Sequence, residues 1–220
     1  MRPDGEMVVM NIRLLQVVFG ATLVALAAGA QAQQSSAKPW YIAIGAGGAW
    51  YQDQSLSGAA NGKVSFDTGY TLNGAIGRQL GSLESVRLEL EGVHDRSDVK
   101  SFNGANASGT NYNYGLMFNF LYDIHTNTKW VPYLGVGAGW FEASLDKVVS
   151  GTTVVDDSDA AFAWQFKGGV AYELKPTMAV TLGYRYLDSN DLSLVSPSAG
   201  NITVDGPQIQ NLELGFRYRF

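Results

Sequence analysis

The sequence predicts an all-β protein, an eight-stranded antiparallel up-and-down transmembrane β-barrel, and three observations lead to this fold class. Eight stretches of roughly 11–16 residues alternate between apolar and polar side chains, as strands with one apolar face do. The seven connections between them are alternately short and long. Large aromatic residues gather near the ends of the stretches.

The eight predicted strands follow one another along most of the chain. The last, QNLELGFRYRF, shows the alternation clearly, because Leu212 and Leu214 share one face while Glu213 and Arg217 share the other. A soluble β-sandwich also alternates, but connections that are strictly short and long in turn are typical of a barrel with tight turns at one end and loops at the other. The segments cover about 40–51, 68–80, 85–97, 111–124, 130–145, 160–174, 178–188 and 208–220, with short connections at 81–84, 125–129 and 175–177 and long ones at 52–67, 98–110, 146–159 and 189–207.

Five tryptophans indicate where the barrel would cross a membrane. Trp130 and Trp140 are ten residues apart on the apolar face of one strand, a span of about 27 Å that matches an apolar band of about 25 Å between two aromatic girdles. In a soluble protein we would expect large aromatic residues at the middle of core-facing strands instead. The predicted aromatic girdle consists of Trp40, Trp50, Trp130, Trp140 and Trp164.

The N-terminal segment has the three parts of a secretory signal peptide. Arg13 precedes the apolar run LLQVVFGATLVALAAGA, and Ala30-Gln31-Ala32 supplies a small-x-small cleavage site. The run is short for a transmembrane helix, which needs about 20 apolar residues. We therefore expect residues 1–32 to be a cleaved signal peptide, with Met10 as an alternative translation start, and residues 33–220 to form one barrel domain.

The acidic charge and the lack of cysteine exclude several classes of function. The formal net charge is −5 and there is no basic run, which argues against nucleic acid as a partner, because phosphates need clustered Lys and Arg. With no cysteine in the sequence, disulfides, thiol catalysis and cysteine metal sites are excluded. A closed barrel explains how an exported chain is stable without disulfides, since closure leaves no edge strand.

The nonapeptide PYLGVGAGW, residues 132–140, has glycine at every second position from Gly135 to Gly139. A phosphate-binding loop is the alternative interpretation, but a dinucleotide fingerprint needs G-x-G-x-x-G between a strand and a helix. Here the strand continues through Trp140 and Phe141. We expect the glycines to line the inside of a narrow barrel, where they make room for long side chains opposite them.

The residues on the predicted inner face carry charges of both signs. Three acids face five bases, and unpaired charges in a narrow lumen are costly, so we expect hydrogen-bonded ion pairs that cross the barrel. Two interpretations remain open: the pairs plug and stabilise the barrel, or they form a gate that rearranges to open a narrow ion path. The predicted lumen charge network consists of Arg87, Glu89, Glu91, Lys167, Arg185, Glu213, Arg217 and Arg219.

Four segments carry a family resemblance: WYIAIGAGGAW in the first strand, PYLGVGAGW in the fifth, LKPTMAVTLGYRY in the sixth hairpin and NLELGFRYRF at the end. They resemble the small OmpA-like, opacity-type outer-membrane β-barrels of Gram-negative bacteria, a porin family. The resemblance implies a monomer in the outer membrane, with membrane lipid, lipopolysaccharide and the outer-membrane insertion machinery as partners. It also implies that the last strand carries the assembly signal that this machinery reads, formed by Leu212, Leu214, Phe216, Tyr218 and Phe220.

The chain offers little for catalysis or metal binding, and we expect no enzyme, no cofactor and no metal site. Of the two histidines, His125 lies in a short connection. His94 lies near the loop end of the third strand, where Asp95 faces the opposite side and cannot easily pair with it. The acidic run from Asp156 to Asp159 could hold a divalent cation, but it lacks the glycine and distal glutamate of an EF-hand.

These observations predict an integral outer-membrane protein with a structural and surface-interaction role. The barrel would support the envelope, and its long loops would contact host, phage or neighbouring molecules as extracellular ligands. The alternative is a narrow porin-like channel for ions or small solutes, which would need an open, wet lumen. A carrier of apolar ligands is the third interpretation, and an enzyme is the fourth.

Overall fold

The computed structural model describes residues 39–58, 61–80, 83–150, 153–196 and 200–220, so the predicted signal peptide and its cleavage site lie outside the described residues. The described residues form thirteen β-strands. Among them, no helix is long and apolar enough to cross a membrane. The strands are β1 (Trp40–Tyr51), β2 (Gln54–Gly58), β3 (Gly62–Phe66), β4 (Gly69–Leu80), β5 (Leu83–Phe102), β6 (Ala105–Asn106), β7 (Ser108–Asp123), β8 (Trp130–Ser150), β9 (Thr153–Lys175), β10 (Met178–Ser189), β11 (Leu192–Ser196), β12 (Gly200–Val204) and β13 (Gln208–Arg219).

Eight of these strands close into a ring, which confirms the predicted fold class. Each strand pairs antiparallel with the next in the order β1, β4, β5, β7, β8, β9, β10 and β13, and β13 pairs back to β1. Tyr41 therefore lies between Arg219 on one neighbour and Gly77 on the other. Closure pairs the backbone groups of every barrel strand on both sides.

The three short connections define the turn end of the barrel, and the four long ones define its loop end. At the turn end, strand bounds agree with the prediction to within a few residues. At the loop end the bounds do not agree. Strand β8 continues to Ser150 and β9 begins at Thr153, so most of the predicted loop 146–159 is strand. The other three long connections also contain strands, because β5 extends to Phe102 and β2, β3, β6, β11 and β12 lie within the predicted loops.

These extra strands form a second sheet beyond the loop end. We use this name for β2, β3, β6, β11, β12 and residues 99–102 of β5, which are hydrogen-bonded in the order β11, β12, β2, β3, β5, β6. Each of the ring strands β1, β4, β10 and β13 is interrupted for two or three residues and continues as β2, β3, β11 and β12. The second sheet has an apolar core of its own, formed by Leu56, Val64, Val99, Ile202 and Val204.

Aspartates lie at the four interruptions between the ring and the second sheet. Asp205 Oδ2 accepts a hydrogen bond from the backbone N–H of Ser55, and Asp191 Oδ1 accepts one from Gly206. Such side chains satisfy backbone donors where a strand ladder is broken. At the interruption between β1 and β2, a hydrogen bond from Lys63 holds the pKa of the exposed Asp53 carboxyl below its usual value.

Alternate residues of each ring strand face opposite sides of the wall. In β8, Leu134, Val136 and Trp140 are exposed on the outside, while Tyr133 and Phe141 are buried inside. The glycines of PYLGVGAGW lie on the inner side, where space is short. A methyl group added at Gly139 would overlap the backbone carbonyl of Leu116, and one added at Gly137 would overlap the side chain of Asn119.

Candidate functional site

A network of charged side chains fills the middle of the lumen. Each member is at most 9% exposed, and the charges come from five of the eight ring strands. The lumen network, as the term is used below, consists of Arg87, Glu89 and Glu91 on β5, Asp123 on β7, Lys167 on β9, Arg185 on β10, and Glu213 and Arg217 on β13.

The half of the network nearer the turn end is built around Arg87. Its Nε and Nη2 atoms each donate to a carboxylate oxygen of Asp123 at 2.8 Å, a bidentate pair. Its Nη1 atom donates to the hydroxyl of Tyr41 at 2.9 Å, and that hydroxyl donates to Glu89 Oε2 at 2.9 Å. The Arg87 guanidinium also lies over the Tyr41 and Tyr133 rings, which hold it in place.

The other half of the network is built around Glu91. Its Oε1 atom lies 2.7 Å from Lys167 Nζ and 2.9 Å from Arg185 Nη2. Arg185 also reaches Glu213 Oε1 at 2.6 Å, so one guanidinium joins carboxylates from two strands. The second oxygen of Glu91 accepts hydrogen bonds from Asn119 at 2.8 Å and Gln165 at 3.0 Å. This carboxylate is fully buried and contacts four side chains from three other ring strands, β7, β9 and β10.

Arg217 is the least well satisfied member of the network. Its nearest carboxylate, that of Asp123, lies 3.8 Å away, and among the described residues its Nε and Nη2 atoms have no hydrogen-bond partner. Arg217 lines a polar cavity of about 60 Å³ together with Glu89, Lys167 and Glu213. A cavity of this size has room for water, which would satisfy the guanidinium.

The structure separates one predicted network residue from the others. Arg219 lies at the turn-end rim, where its guanidinium pairs with Glu173 at 3.0 Å, and the two side chains are 17% and 31% exposed. Sequence reasoning also missed several partners on the same inner face. Their position at alternate residues of the predicted strands was the signal that could have found them: Tyr41, Asn73, Asn119, Asp123 and Gln165.

Apolar side chains pack inside the lumen on both sides of the network, which the sequence interpretation did not foresee. Toward the loop end, seven inward residues pack together, and none is more than 4% exposed. We call them the apolar layer: Ala49, Val93, Met117, Phe141, Ala163, Leu187 and Ile209. Toward the turn end, a smaller cluster is formed by Val131, Ala171 and Ala179.

The predicted girdle residues lie on the outer surface at two levels. Trp40 and Trp130 are at the turn end, and Trp50, Trp140 and Trp164 are at the loop end, all between 42% and 69% exposed. Tyrosines accompany them: the rings of Trp130 and Tyr172 are 4.7 Å apart, and those of Trp164 and Tyr186 are 5.6 Å apart.

Comparison with known proteins identifies the family. The family model for the outer membrane protein beta-barrel domain matches residues 19–220. The chain belongs to this family. Its barrel is therefore located in the bacterial outer membrane, where the apolar outer face contacts lipid.

The relatives include an uncharacterized protein of Brucella abortus (strain 2308), 29% identical in an alignment of 206 positions that covers 77% of this chain and 72% of the relative. An outer membrane protein of Gluconacetobacter diazotrophicus is 26% identical, covering 95% of this chain and 64% of the relative.

Solved structures show the same fold. Neisserial surface protein A (NspA) aligns with a TM-score of 0.55 at 20% identity, over 82% of this chain and 97% of its own. The outer membrane protein OprG from Pseudomonas aeruginosa aligns with a TM-score of 0.55 at 16% identity, over 83% of this chain and 98% of its own. The outer membrane protease OmpT from Escherichia coli aligns with a TM-score of 0.50 at 9% identity, over 86% of this chain and 99% of its own. At these identities the likeness concerns the fold alone.

Four of the five predicted assembly residues lie on β13, the strand that closes the ring, and Phe220 directly follows its last residue. Leu212, Leu214 and Phe216 face the lipid, while Tyr218 and Phe220 are half-buried near the turn end. The backbone N–H of Phe220 donates to the carbonyl of Trp40 at 2.9 Å, which extends the pairing of β13 with β1 by one residue.

The two histidines lie in different surroundings. His94 is half-buried on the outer face, stacked on Tyr114 at 4.7 Å, and its Nδ1 donates to the carbonyl of Asn113 at 3.1 Å. His125 lies 3.2 Å from Ser85 Oγ at the exposed turn end. In the described residues no three His, Asp or Glu side chains are grouped to hold a metal. Asp159 instead accepts a hydrogen bond from the backbone of Ser193, and the side chain of Asp156 lies outside the described residues.

Proposed function

We propose that this outer-membrane barrel is a sealed, non-catalytic protein that supports the envelope and presents the second sheet to molecules outside the cell. The observation that carries the proposal is the apolar layer, because seven packed side chains lie across the lumen between the charged network and the loop end. Family membership supports the location but leaves the role open.

A sealed lumen favours the structural role over a channel. Ions passing through would have to displace the apolar layer and also separate the pairs that Glu91 makes with Lys167 and Arg185. Separating a buried ion pair without replacing its partner costs about 3–5 kcal/mol. The network then stabilises the narrow barrel, as its charges come from strands on opposite sides of the ring.

A narrow channel remains the second candidate, and the polar cavity beside Arg217 is the observation that favours it. A guanidinium with two unbonded nitrogen atoms could change partners without breaking a strong pair. Such a channel would still need the apolar layer to open, so it would be closed most of the time.

The second sheet supports the surface role. It lies beyond the loop-end tryptophans and has its own apolar core, so it forms an ordered platform. We propose that the loop end faces the exterior and the turn end faces the periplasm. Exposed polar residues such as Ser57, Lys63 and Thr203 would then be available to an extracellular partner.

Labelling of single cysteines on intact cells tests this orientation, since the natural chain has no cysteine to interfere. Ser57→Cys in the second sheet and Thr126→Cys in a turn are both at exposed positions. A membrane-impermeant maleimide should label Ser57→Cys on intact cells, and Thr126→Cys only after the outer membrane is opened. The reverse pattern would overturn the orientation.

Deletion of the gene tests the role. Loss of a supporting barrel should make cells more sensitive to detergents, and the wild-type gene should restore resistance. If deletion leaves detergent sensitivity unchanged but lowers the uptake of small solutes, the channel is the correct interpretation.

A further inference from the structure

The outer surface of β4, β5 and β7 carries a group of polar and aromatic side chains near the loop end. We call Tyr70, His94, Arg96, Tyr112 and Tyr114 the rim patch. Arg96 pairs across the sheet with Tyr70 on one side and Tyr112 on the other, and His94 pairs with Tyr114. All of these side chains point away from the lumen, because the residues between them, such as Asp95 and Asn113, are buried inside.

Arg96 is held in place but is not neutralised within the patch. Its guanidinium lies 5.4 Å from the centre of the Tyr112 ring, a cation–π arrangement that fixes the side chain. Its nearest carboxylate is that of Asp98, at 3.7 Å, and the two side chains are 39% and 64% exposed. An exposed pair at this distance contributes little. Asp98 also accepts a hydrogen bond from Thr110, so its carboxylate is shared.

His94 is oriented by its neighbours. A backbone carbonyl can only accept, so the bond to Asn113 places a proton on Nδ1 and fixes the ring. The ring is stacked on Tyr114 at 4.7 Å, lies nearly parallel to that of Tyr112 at 6.4 Å and meets the edge of Tyr70. The patch is therefore a preorganised surface with one fixed cation, Arg96, surrounded by the polar groups of tyrosine and histidine rings.

The rim patch lies at the height of the loop-end girdle. Tyr70 pairs with Gly48, two residues before Trp50 on the neighbouring strand. Trp and Tyr at this level mark the boundary between the apolar band and the lipid headgroups. A cation fixed at this boundary on the lipid-facing surface meets the phosphate groups of the lipids beside it.

We propose that the rim patch binds a phosphate of the lipid A part of lipopolysaccharide in the outer leaflet. The planar guanidinium of Arg96 matches phosphate geometry, and the tyrosines provide hydroxyl donors and ring surface for the sugar. Because lipid A lies in the outer leaflet, this site rests on the proposed orientation of the barrel. The cysteine labelling described above tests that orientation separately.

The chain provides a matched control in Arg78. This arginine is also exposed on the outer surface and also lies over an aromatic ring, that of Trp40, at 5.5 Å from its centre. It is at the turn end, far along β4 from Tyr70, and its cross-strand neighbours are Trp40 and Leu88. Arg78→Gln and Arg96→Gln thus remove the same charge from opposite rims.

The experiment measures lipid binding to the refolded barrel in detergent by native mass spectrometry. Purified lipid A with both phosphates, lipid A without phosphates and phosphatidylethanolamine are the probes. Arg96→Gln should weaken binding of phosphorylated lipid A about tenfold, which corresponds to one charge-assisted hydrogen bond. Arg78→Gln should leave binding unchanged, and Arg96→Lys should give an intermediate loss because it keeps the charge but not the fork.

Folding of every variant is checked by its heat-dependent gel mobility. The proposal is overturned if Arg96→Gln binds as well as wild type, or if the two Gln variants weaken binding equally. It is also overturned if lipid A without phosphates binds the wild-type protein as tightly as the phosphorylated form. A failure of this kind leaves the orientation result untouched, so the two proposals fail independently.

Discussion

Replacing Arg185 with methionine should strongly destabilise the barrel. Arg185 is fully buried and pairs with Glu91 and Glu213, so its removal leaves two carboxylates short of a partner. Glu91 keeps Lys167 at 2.7 Å, whereas the bond that Glu213 keeps within the described residues is the one from the amide of Asn73 at 2.8 Å. Removing one partner of a buried pair costs about 3–5 kcal/mol, and the loss should fall in this range.

Urea unfolding of the barrel in lipid vesicles measures this loss. Tryptophan fluorescence follows the transition, and the difference between folded and heated samples on a gel provides an independent reading. Arg219→Gln is the matched control, because Arg219 forms a half-exposed pair at the rim and should contribute less than about 1 kcal/mol.

A double-mutant cycle separates the ion pair from other effects of the substitution. Glu213→Gln removes the carboxylate that depends most on Arg185, so Arg185→Met combined with Glu213→Gln should be less destabilised than the sum of the single variants. A coupling of about 1–3 kcal/mol is expected for residues in one network. The reasoning is refuted if Arg185→Met costs no more than Arg219→Gln, or if the two losses simply add.

Three further predictions concern the wall, the assembly and the second sheet. Gly137→Ala should cost about 1–3 kcal/mol in urea unfolding, since the added methyl group overlaps Asn119. Gly168→Ala is the control and should change stability by about 0.5 kcal/mol, because the methyl group there meets side-chain atoms at 3.3 Å and beyond and a carbonyl oxygen at 3.9 Å. Similar losses from the two variants would contradict this account of the glycines. Deleting Phe220 should reduce assembly in the outer membrane while export continues, as fractionation would show, and normal assembly would exclude the role of the last residue. Val204→Asp should open the second sheet to protease yet leave the heat-dependent gel shift of the ring intact; loss of both would mean that the two parts fold as one.

The ring could be predicted from sequence because the alternation of side chains along a strand reflects what each of its two faces contacts. The outward residues are all apolar over 132–140 of β8 and 212–216 of β13, so Leu134, Trp140 and Leu214 reveal the wall without knowledge of the partner strands. The same alternation placed Arg87 and Lys167 inside. These inferences need only the local chain.

The pairing of charges could not be predicted, because it depends on the stagger between strands. Arg217 and Arg219 have the same parity on β13, yet one lies in the network and the other pairs with Glu173 at the rim. The apolar layer was missed because Met117 and Phe141 lie on the face that the charges had marked as polar.

The second sheet was missed for a different reason. Its strands are five residues or shorter, and aspartates such as Asp53 and Asp205 separate them from the ring strands, so each resembles a loop. One signal was present: Asn103-Gly104, both with positive φ, forms the two-residue turn between β5 and β6, and Asn-Gly is typical of such hairpins.

Single-channel conductance of the refolded barrel in a planar bilayer tests the central claim, that the lumen is sealed. The wild-type protein, shown to be folded by its gel shift, should give no conductance steps. A variant that removes the bulk of the apolar layer, Phe141→Ala with Met117→Ala, should give brief openings if this layer is the seal. Discrete, reproducible steps from the folded wild-type protein would contradict the sealed lumen and identify the barrel as a channel.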